Sequence, residues 1–283
     1  MLYKHIYLIG NGRIADDCLR VFSKNNIEVE YIEVVSEKFA FTEKLCERLN
    51  IPFRRYDKRS IRDFLLSLEE KTLIISVHNS YIFPPDVCEK NNLTILNLHI
   101  AYLPEYRGMN APTWAIYNEE QYTGVTWHIV SSEIDCGKII VQKKIMIGED
   151  DNAIKLMQRC FQEGVRLFED NLECFINETY TTYEPQNSKT KLYLKSELPN
   201  DGYIDLNWNL KKIYVFLRSM DYSGTSVMRL PRMNHNGKVY EIINYKKSLN
   251  EEKNICDEKE IKDNELIIKY KENCLKCTLR EIV

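Results

Sequence analysis

Apolar and polar positions switch between two periods along the first 130 residues. Segments 4–9, 27–35, 52–56 and the apolar run 73–77 read as strands. The last, Leu73 to Val77, is apolar but for Ser76, in the manner of a parallel strand covered on both faces. Between them the spacing is helical, to about Ser23 and over 41–49 and 61–68. A strand ending at His99, a short helix around Trp114 and Ile116, and a strand over 124–130 continue the series. Alternating β and α segments predict an α/β chain with a doubly wound, mostly parallel sheet and helices on both faces. Ligands bind such sheets beyond the carboxyl ends of the strands.

The pattern then lengthens. Ile154, Met157, Cys160, Phe161, Val165 and Phe168 share helical spacing, and one helix is expected from about Asp150 to Asn177. Its acidic start, Glu149-Asp150-Asp151, suits the positive end of a helix. Residues 180–195 are polar and aromatic and read as a linker or an extended crossing. Pro199-Asn200-Asp201-Gly202 is a turn signal, a helix is expected over 210–220, and strands over 226–230, 238–245 and 266–270. The charged run 249–263 reads as an exposed loop. The chain thus divides into a larger domain, 1–190, and a smaller C-terminal β-rich domain, 191–283.

Composition narrows the partners. The formal net charge of −3 over 283 residues argues against a nucleic acid held by general electrostatics. The start MLYKHIYLIGNG is too short and polar for a signal peptide, and no run of ~18 apolar residues occurs, so a soluble cytoplasmic protein with no membrane partner is expected. The nine cysteines are scattered and odd in number, as expected of small buried side chains in a reducing compartment. Cys274-x-x-Cys277 has no second pair, so no metal is expected.

Chemistry-bearing residues gather in 95–137. Asn97 and His99, two apart at a strand end, share a face. The turn Glu133-Ile134-Asp135-Cys136-Gly137 can present a carboxylate. An imidazole shuttles protons near neutral pH, and an amide can donate to an oxyanion. Such a trio suits direct acyl transfer from a bound donor to an amine or water. On spacing alone, an ordinary hydrogen-bonded histidine and a turn aspartate are the commoner explanation. Gly10-Asn11-Gly12-Arg13-Ile14-Ala15 after a strand has the G-x-G-x-x-A shape of a dinucleotide fingerprint, with Glu33 as the acidic residue on the next strand. A nucleotide-dependent oxidoreductase therefore competes, although nothing later supplies a hydride-transfer site. His128, on the second strand, reads as a packed strand residue.

The stretch also resembles the signature of the formyltetrahydrofolate-dependent formyltransferase family. The pieces that carry it are Asn97-Leu98-His99, Leu103-Pro104-Glu105-Tyr106-Arg107-Gly108, Pro112-Thr113-Trp114-Ala115, Gly124-Val125-Thr126-Trp127-His128 and Ile134-Asp135-Cys136-Gly137. The resemblance implies the Rossmann-like formyltransferase fold, with Asn97, His99 and Asp135 as the catalytic trio. It implies 10-formyltetrahydrofolate as cosubstrate, held by Asp135 and by the backbone of Val77, His78, Asn79, Ser80, Tyr81, Ile82 and Phe83. Gly10, Asn11, Gly12, Tyr102, Arg107, Gly108, Trp208, Arg218 and Tyr222 are candidates for the acceptor, with Met228 a looser one. The β-rich extension would contribute to the acceptor site or to a homodimer. The acceptor expected from the resemblance is a nucleotide-linked amino sugar, dTDP-4-amino-4,6-dideoxyglucose first, made for an O-antigen or other surface glycan. Methionyl-tRNA is the alternative, and a non-catalytic folate- or nucleotide-binding module the alternative from another class.

Overall fold

The computed structural model describes residues 2–34, 41–186, 190–225, 227–249 and 255–282. In chain order the strands are β1 (His5–Gly10), β2 (Glu30–Val34), β3 (Phe53–Tyr56), β4 (Thr72–Val77), β5 (Leu93–His99), β6 (Arg107–Gly108), β7 (Tyr122–Ile129), β8 (Ile139–Met146), β9 (Leu192–Tyr193), β10 (Arg232–His235), β11 (Lys238–Leu249), β12 (Ile255–Lys262), β13 (Glu265–Lys271) and β14 (Asn273–Ile282). The α-helices are α1 (Gly12–Lys24), α2 (Phe41–Leu49), α3 (Ser60–Ser67), α4 (Pro85–Cys88), α5 (Ala111–Tyr117), α6 (Ala153–Asn177) and α7 (Leu210–Ser219). Contacts among residues define two units. One takes in 1–109, 124–145 and 158–192, and the other 110–123, 146–157 and 193–283.

The first unit is built on a seven-stranded sheet in the order β3-β2-β1-β4-β5-β7-β8. Strands β1 to β5 are mutually parallel, and β7 runs antiparallel to β5. This is the Rossmann-like, doubly wound architecture, and the direction of winding reverses between β1 and β4. Such a reversal opens a crevice at the strand ends, here between the turns that follow Gly10 and Val77. The two residues are register partners, and a side chain at Gly10 would stand 2.5 Å from the Val77 carbonyl oxygen. One face of the sheet packs Ile9, Ile32, Ile74 and Ile95 against Ile61 and Leu65 of α3. Elsewhere Trp127 is fully buried beside Phe168 and Phe175, and its indole N–H donates to the Gly164 carbonyl at 3.0 Å. A Cβ on Gly164 would lie 2.5 Å from Leu98 Cδ2, so the glycine lets α6 close on β5.

In the second unit, α7 shares a core with a five-stranded antiparallel sheet in the order β10-β11-β14-β13-β12. Ile213, Phe216 and Leu217 meet Met233, Ile242, Leu266, Ile268, Leu275 and Leu279 there. Two expectations change here. The strand looked for over 226–230 is β10, at 232–235; residues 227–230 are turn and irregular chain, and Ser226 lies outside the described residues. Part of the charged run 249–263 is strand: β11 reaches Leu249 and β12 covers 255–262, while 250–254 lie outside the described residues. Among the described residues, strand β12 has a single sheet neighbour, and charge on such an edge is how sheets resist further pairing. Strands β8 and β14 are additions that the apolar pattern does not announce. Cys274 and Cys277 both sit on β14, three apart and so on opposite faces, which separates the only C-x-x-C pair.

Candidate functional site

Strand β5 ends in Asn97 and His99. His99 is 7% exposed, and its Nε2 lies 2.9 Å from the Tyr106 carbonyl oxygen. A carbonyl only accepts, so that ring nitrogen carries a proton. The other nitrogen, Nδ1, faces Asp135 Oδ2 at 3.5 Å. It is therefore the one ring nitrogen not already committed to a backbone bond.

Asp135 reaches this place from the turn after β7. Its φ of 53° is left-handed, a conformation that aspartate tolerates better than most residues. Oδ2 accepts from the Gly108 N–H at 2.8 Å, and Oδ1 lies 3.5 Å from His128 Nε2. Burial works to raise this carboxyl's pKa. The charge of His99, the hydrogen bond of His128 and the Gly108 N–H outweigh it and hold the pKa well below the usual carboxylate range. The group stays ionised beside two imidazoles.

The turn is clamped. Ile129 N–H donates to the Lys138 carbonyl at 2.9 Å, and Arg107 Nε donates to the Ile134 carbonyl at 3.0 Å. A Cβ on Gly137 would fall 1.7 Å from the Ile129 carbonyl oxygen. Backbone cannot yield as a flexible side chain does, so Gly137→Ala is expected to cost about 1–3 kcal/mol of stability and to move Asp135. Urea denaturation and kcat measured on the same variant check both effects.

Asn97 lies between two neighbours. Ser76 Oγ, on β4, donates to its Oδ1 at 2.9 Å. Its Nδ2 is 3.1 Å from Nε2 of His128, the residue opposite it in the β5–β7 register. His128 is packed in the strand as its position suggests, 2% exposed, but it also touches two members of the trio. The sequence signal was its place in the Gly-x-Thr-x-His strand; the missing information was the register.

The 77–83 segment leaves β4 with His78 in a left-handed conformation, φ 46°. Asn79 Oδ1 accepts from Tyr81 N–H at 3.0 Å. Tyr81 and Phe83 turn into the core, whereas His78, Ser80 and Ile82 are exposed. The outer side of this loop is thus mostly backbone and polar side chain. Gly10, Asn11 and Gly12 lie across the β1–β4 reversal, with Gly12 at φ 70°, and the Asn11 carbonyl oxygen is 3.3 Å from His78 Nδ1. Glu33 is 2% exposed and pairs with Arg55 at 2.7 Å. An acid so enclosed is not presented to a ribose hydroxyl, which weakens the oxidoreductase alternative.

The remaining candidates divide between the units. Tyr102 is half-buried, with the Lys144 ammonium 5.2 Å over its ring. Arg107 is buried, and besides bracing Ile134 it reaches the Thr190 carbonyl at 3.4 Å. In the second unit, Arg218 donates to the Asp151 carbonyl at 2.6 Å, Trp208 packs edge-on to Phe216, and Tyr222 shares a hydrogen bond with Thr113 at 2.9 Å. That unit also holds a cleft of ≈ 550 Å³, with Lys155, Tyr214, Tyr222, Met228, Asn244 and Tyr245 in its wall. Tyr222 and Met228 therefore face a cavity that Trp208 and Arg218 do not line.

A family model described as formyl transferase matches residues 4–172. A methionyl-tRNA formyltransferase of Thermodesulfovibrio yellowstonii is 28% identical over 177 residues, 62% of this chain and 57% of that protein. A GDP-perosamine N-formyltransferase of Brucella melitensis is 27% identical over 221 residues, 76% of this chain and 84% of that protein. Among solved structures, an N-formyltransferase from Helicobacter canadensis, in complex with folinic acid and dTDP-3-aminofucose, superposes with a TM-score of 0.77 at 19% identity, covering 97% of this chain and 99% of that one. A sugar 3N-formyl transferase solved with dTDP and 5-N-formyl-THF gives 0.76 at 20% identity over the full length of both chains.

Proposed function

The chain belongs to the formyl transferase family, and from that premise we propose that it moves the formyl group of 10-formyltetrahydrofolate to the amine of a nucleotide-linked amino-deoxy sugar. The observation that carries the reading is the convergence of Asn97, His99 and Asp135 at the end of β5. The neutral amine attacks the formyl carbon, forming a C–N bond. The bond from that carbon to N10 of the folate then breaks, and the amine proton ends on N10. Asn97 Nδ2 has a hydrogen for the oxyanion of the tetrahedral intermediate, and His99 supplies positive charge beside it. His99 Nδ1, 3.5 Å from Asp135 Oδ2, is the ring nitrogen left for the proton's passage. Holding amine and formyl donor together removes much of the entropic cost.

The sugar acceptor is supported by the GDP-perosamine relative, whose match extends over most of both chains, and by the full-length likeness to sugar N-formyltransferases. Within that class we favour dTDP-4-amino-4,6-dideoxyglucose, used in the cytoplasm by a homodimer for an O-antigen or similar glycan. Among the described residues no helix is long and apolar enough to cross a membrane. Methionyl-tRNA is the second reading, favoured by a relative of that name, of whose length the match spans 57%. A tRNA partner needs phosphate neutralisation, and in 250–283 Lys and Arg are offset by Asp and Glu.

The test is tetrahydrofolate release from 10-formyltetrahydrofolate with dTDP-, UDP- and GDP-amino sugars and methionyl-tRNA as acceptors. Release with one nucleotide sugar alone is the expected result. Release with methionyl-tRNA alone would replace the acceptor and keep the trio. Silence from folded protein that does not bind folate would overturn the reading.

A further inference from the structure

We infer that Arg107 is a positioning residue that sets His99 and Asp135 against each other, and not a ligand for the acceptor's phosphates; the role rests on the formyl-transfer reading.

An arginine near a site for an anionic substrate invites the simpler assignment, a guanidinium held out to a phosphate. Here the side chain is occupied within the fold. It is 9% exposed, and two of its nitrogens are engaged by backbone. Nε donates to the Ile134 carbonyl at 3.0 Å, and Nη1 to the Thr190 carbonyl at 3.4 Å. Carbonyls bear no net charge. What suits a guanidinium to them is its planar fork, whose donors point in fixed directions.

Three successive residues hold the pair. The Tyr106 carbonyl accepts from His99 Nε2 at 2.9 Å. The Gly108 N–H donates to Asp135 Oδ2 at 2.8 Å. Between them, the Arg107 side chain grips the carbonyl of Ile134, the residue before Asp135. One short stretch of backbone thus touches both His99 and Asp135, and its middle residue ties it to the turn that carries the carboxylate. Thr190 fastens the same stretch from another side. Its hydroxyl donates to the Pro104 carbonyl at 2.5 Å, and its own carbonyl receives Arg107. The loop that ends at β6 and the Asp135 turn are therefore joined through one guanidinium, and the 3.5 Å between His99 Nδ1 and Asp135 Oδ2 follows from how they are joined.

Lysine is the informative replacement. It keeps the charge, so a phosphate would still find a cation, but one ammonium does not reproduce the two directions of the fork. Misplacing a reacting group by about 1 Å can cost about 10²-fold in rate.

The first test is a double-mutant cycle in kcat. With the nucleotide sugar that gives tetrahydrofolate release, Arg107→Lys is expected to lower kcat about 10-fold or more, with KM for both substrates within about 3-fold. In Asp135→Asn protein the carboxylate that Arg107 helps to place is already gone, and there the same change is expected to lower kcat by less than about 3-fold. A raised KM for the nucleotide sugar with kcat unchanged, or losses that multiply in the double variant, would overturn the positioning role and return Arg107 to the acceptor. The second test needs no turnover. The His99 ring signals in ¹H–¹⁵N spectra of the free, folded protein are expected to move in Arg107→Lys; unchanged signals would overturn the coupling without touching the formyl-transfer reading. Ring signals that move as expected, in a protein whose wild type transfers no formyl group to any acceptor, would instead overturn the reaction on which the role depends.

Discussion

His99→Ala is expected to lower kcat for formyl transfer by about 10³-fold while leaving KM for 10-formyltetrahydrofolate within a few-fold. The size follows from what the imidazole is placed to do. General acid–base groups contribute roughly 10²–10⁴, and one oxyanion stabiliser roughly 10²–10³. His99 is placed for both roles, with Nε2 fixed by the Tyr106 carbonyl and Nδ1 beside Asp135. Alanine removes the charge and the proton carrier together and leaves Asn97 and the bound pair of substrates to supply the remaining rate. Steady-state kinetics with the acceptor identified by the assay measure it, with circular dichroism to show an intact fold. A kcat within about 3-fold of wild type would remove His99 from the reaction.

Asp135→Asn is expected to reduce kcat by roughly 10²-fold or more, through a different route. The amide can still accept from the Gly108 N–H, but it then has an NH₂ group to offer the nitrogen of His99 or His128 where a carboxylate stood. The carboxylate's negative charge is gone from beside Nδ1 of His99, the nitrogen placed to pass the proton. The same substitution has a pH signature. The folded-state pKa of Asp135 is depressed below the ordinary value of about 3.9. The ionised group therefore contributes stability that is present above about pH 4 and lost as pH falls through the folded value. Wild type should be the more stable protein at pH 7, and the gap to Asp135→Asn should narrow below about pH 4. Urea midpoints at pH 7, 4 and 3 measure this; a constant gap would contradict the ionised, stabilising carboxylate.

Much of the first unit was legible because its strands are buried on both faces and announce themselves as apolar runs. Thr72–Val77 is buried at every position. Asn97 and His99 could be placed together from a period of two, and Asp135 from a turn that can carry a left-handed residue. The partners of these groups were not legible. Tyr106 acts on His99 through its carbonyl, and Gly108 on Asp135 through its N–H, and backbone atoms leave no mark in residue identity. His128 was read as packing because its bond to Asn97 exists only in one register of β5 against β7. Glu33 fitted a ribose-binding role on spacing, yet Arg55 from the neighbouring strand encloses it. In the second unit, β12 was hidden because a charged edge strand lacks the alternation of a half-buried one. The strand near 230 was placed a few residues early: the turn residues Ser223, Gly224 and Val227 precede it.

Ser76, Asn97 and His128 lie on β4, β5 and β7, three consecutive strands of the sheet. Amides on such interior strands exchange with solvent only through large openings, whereas loops and lids open at little cost. The side chains around Asn97 are therefore held by the interior of the sheet. Heat should not blunt this site ahead of the fold: loss of the setting of Asn97 and loss of the sheet are expected as one cooperative event.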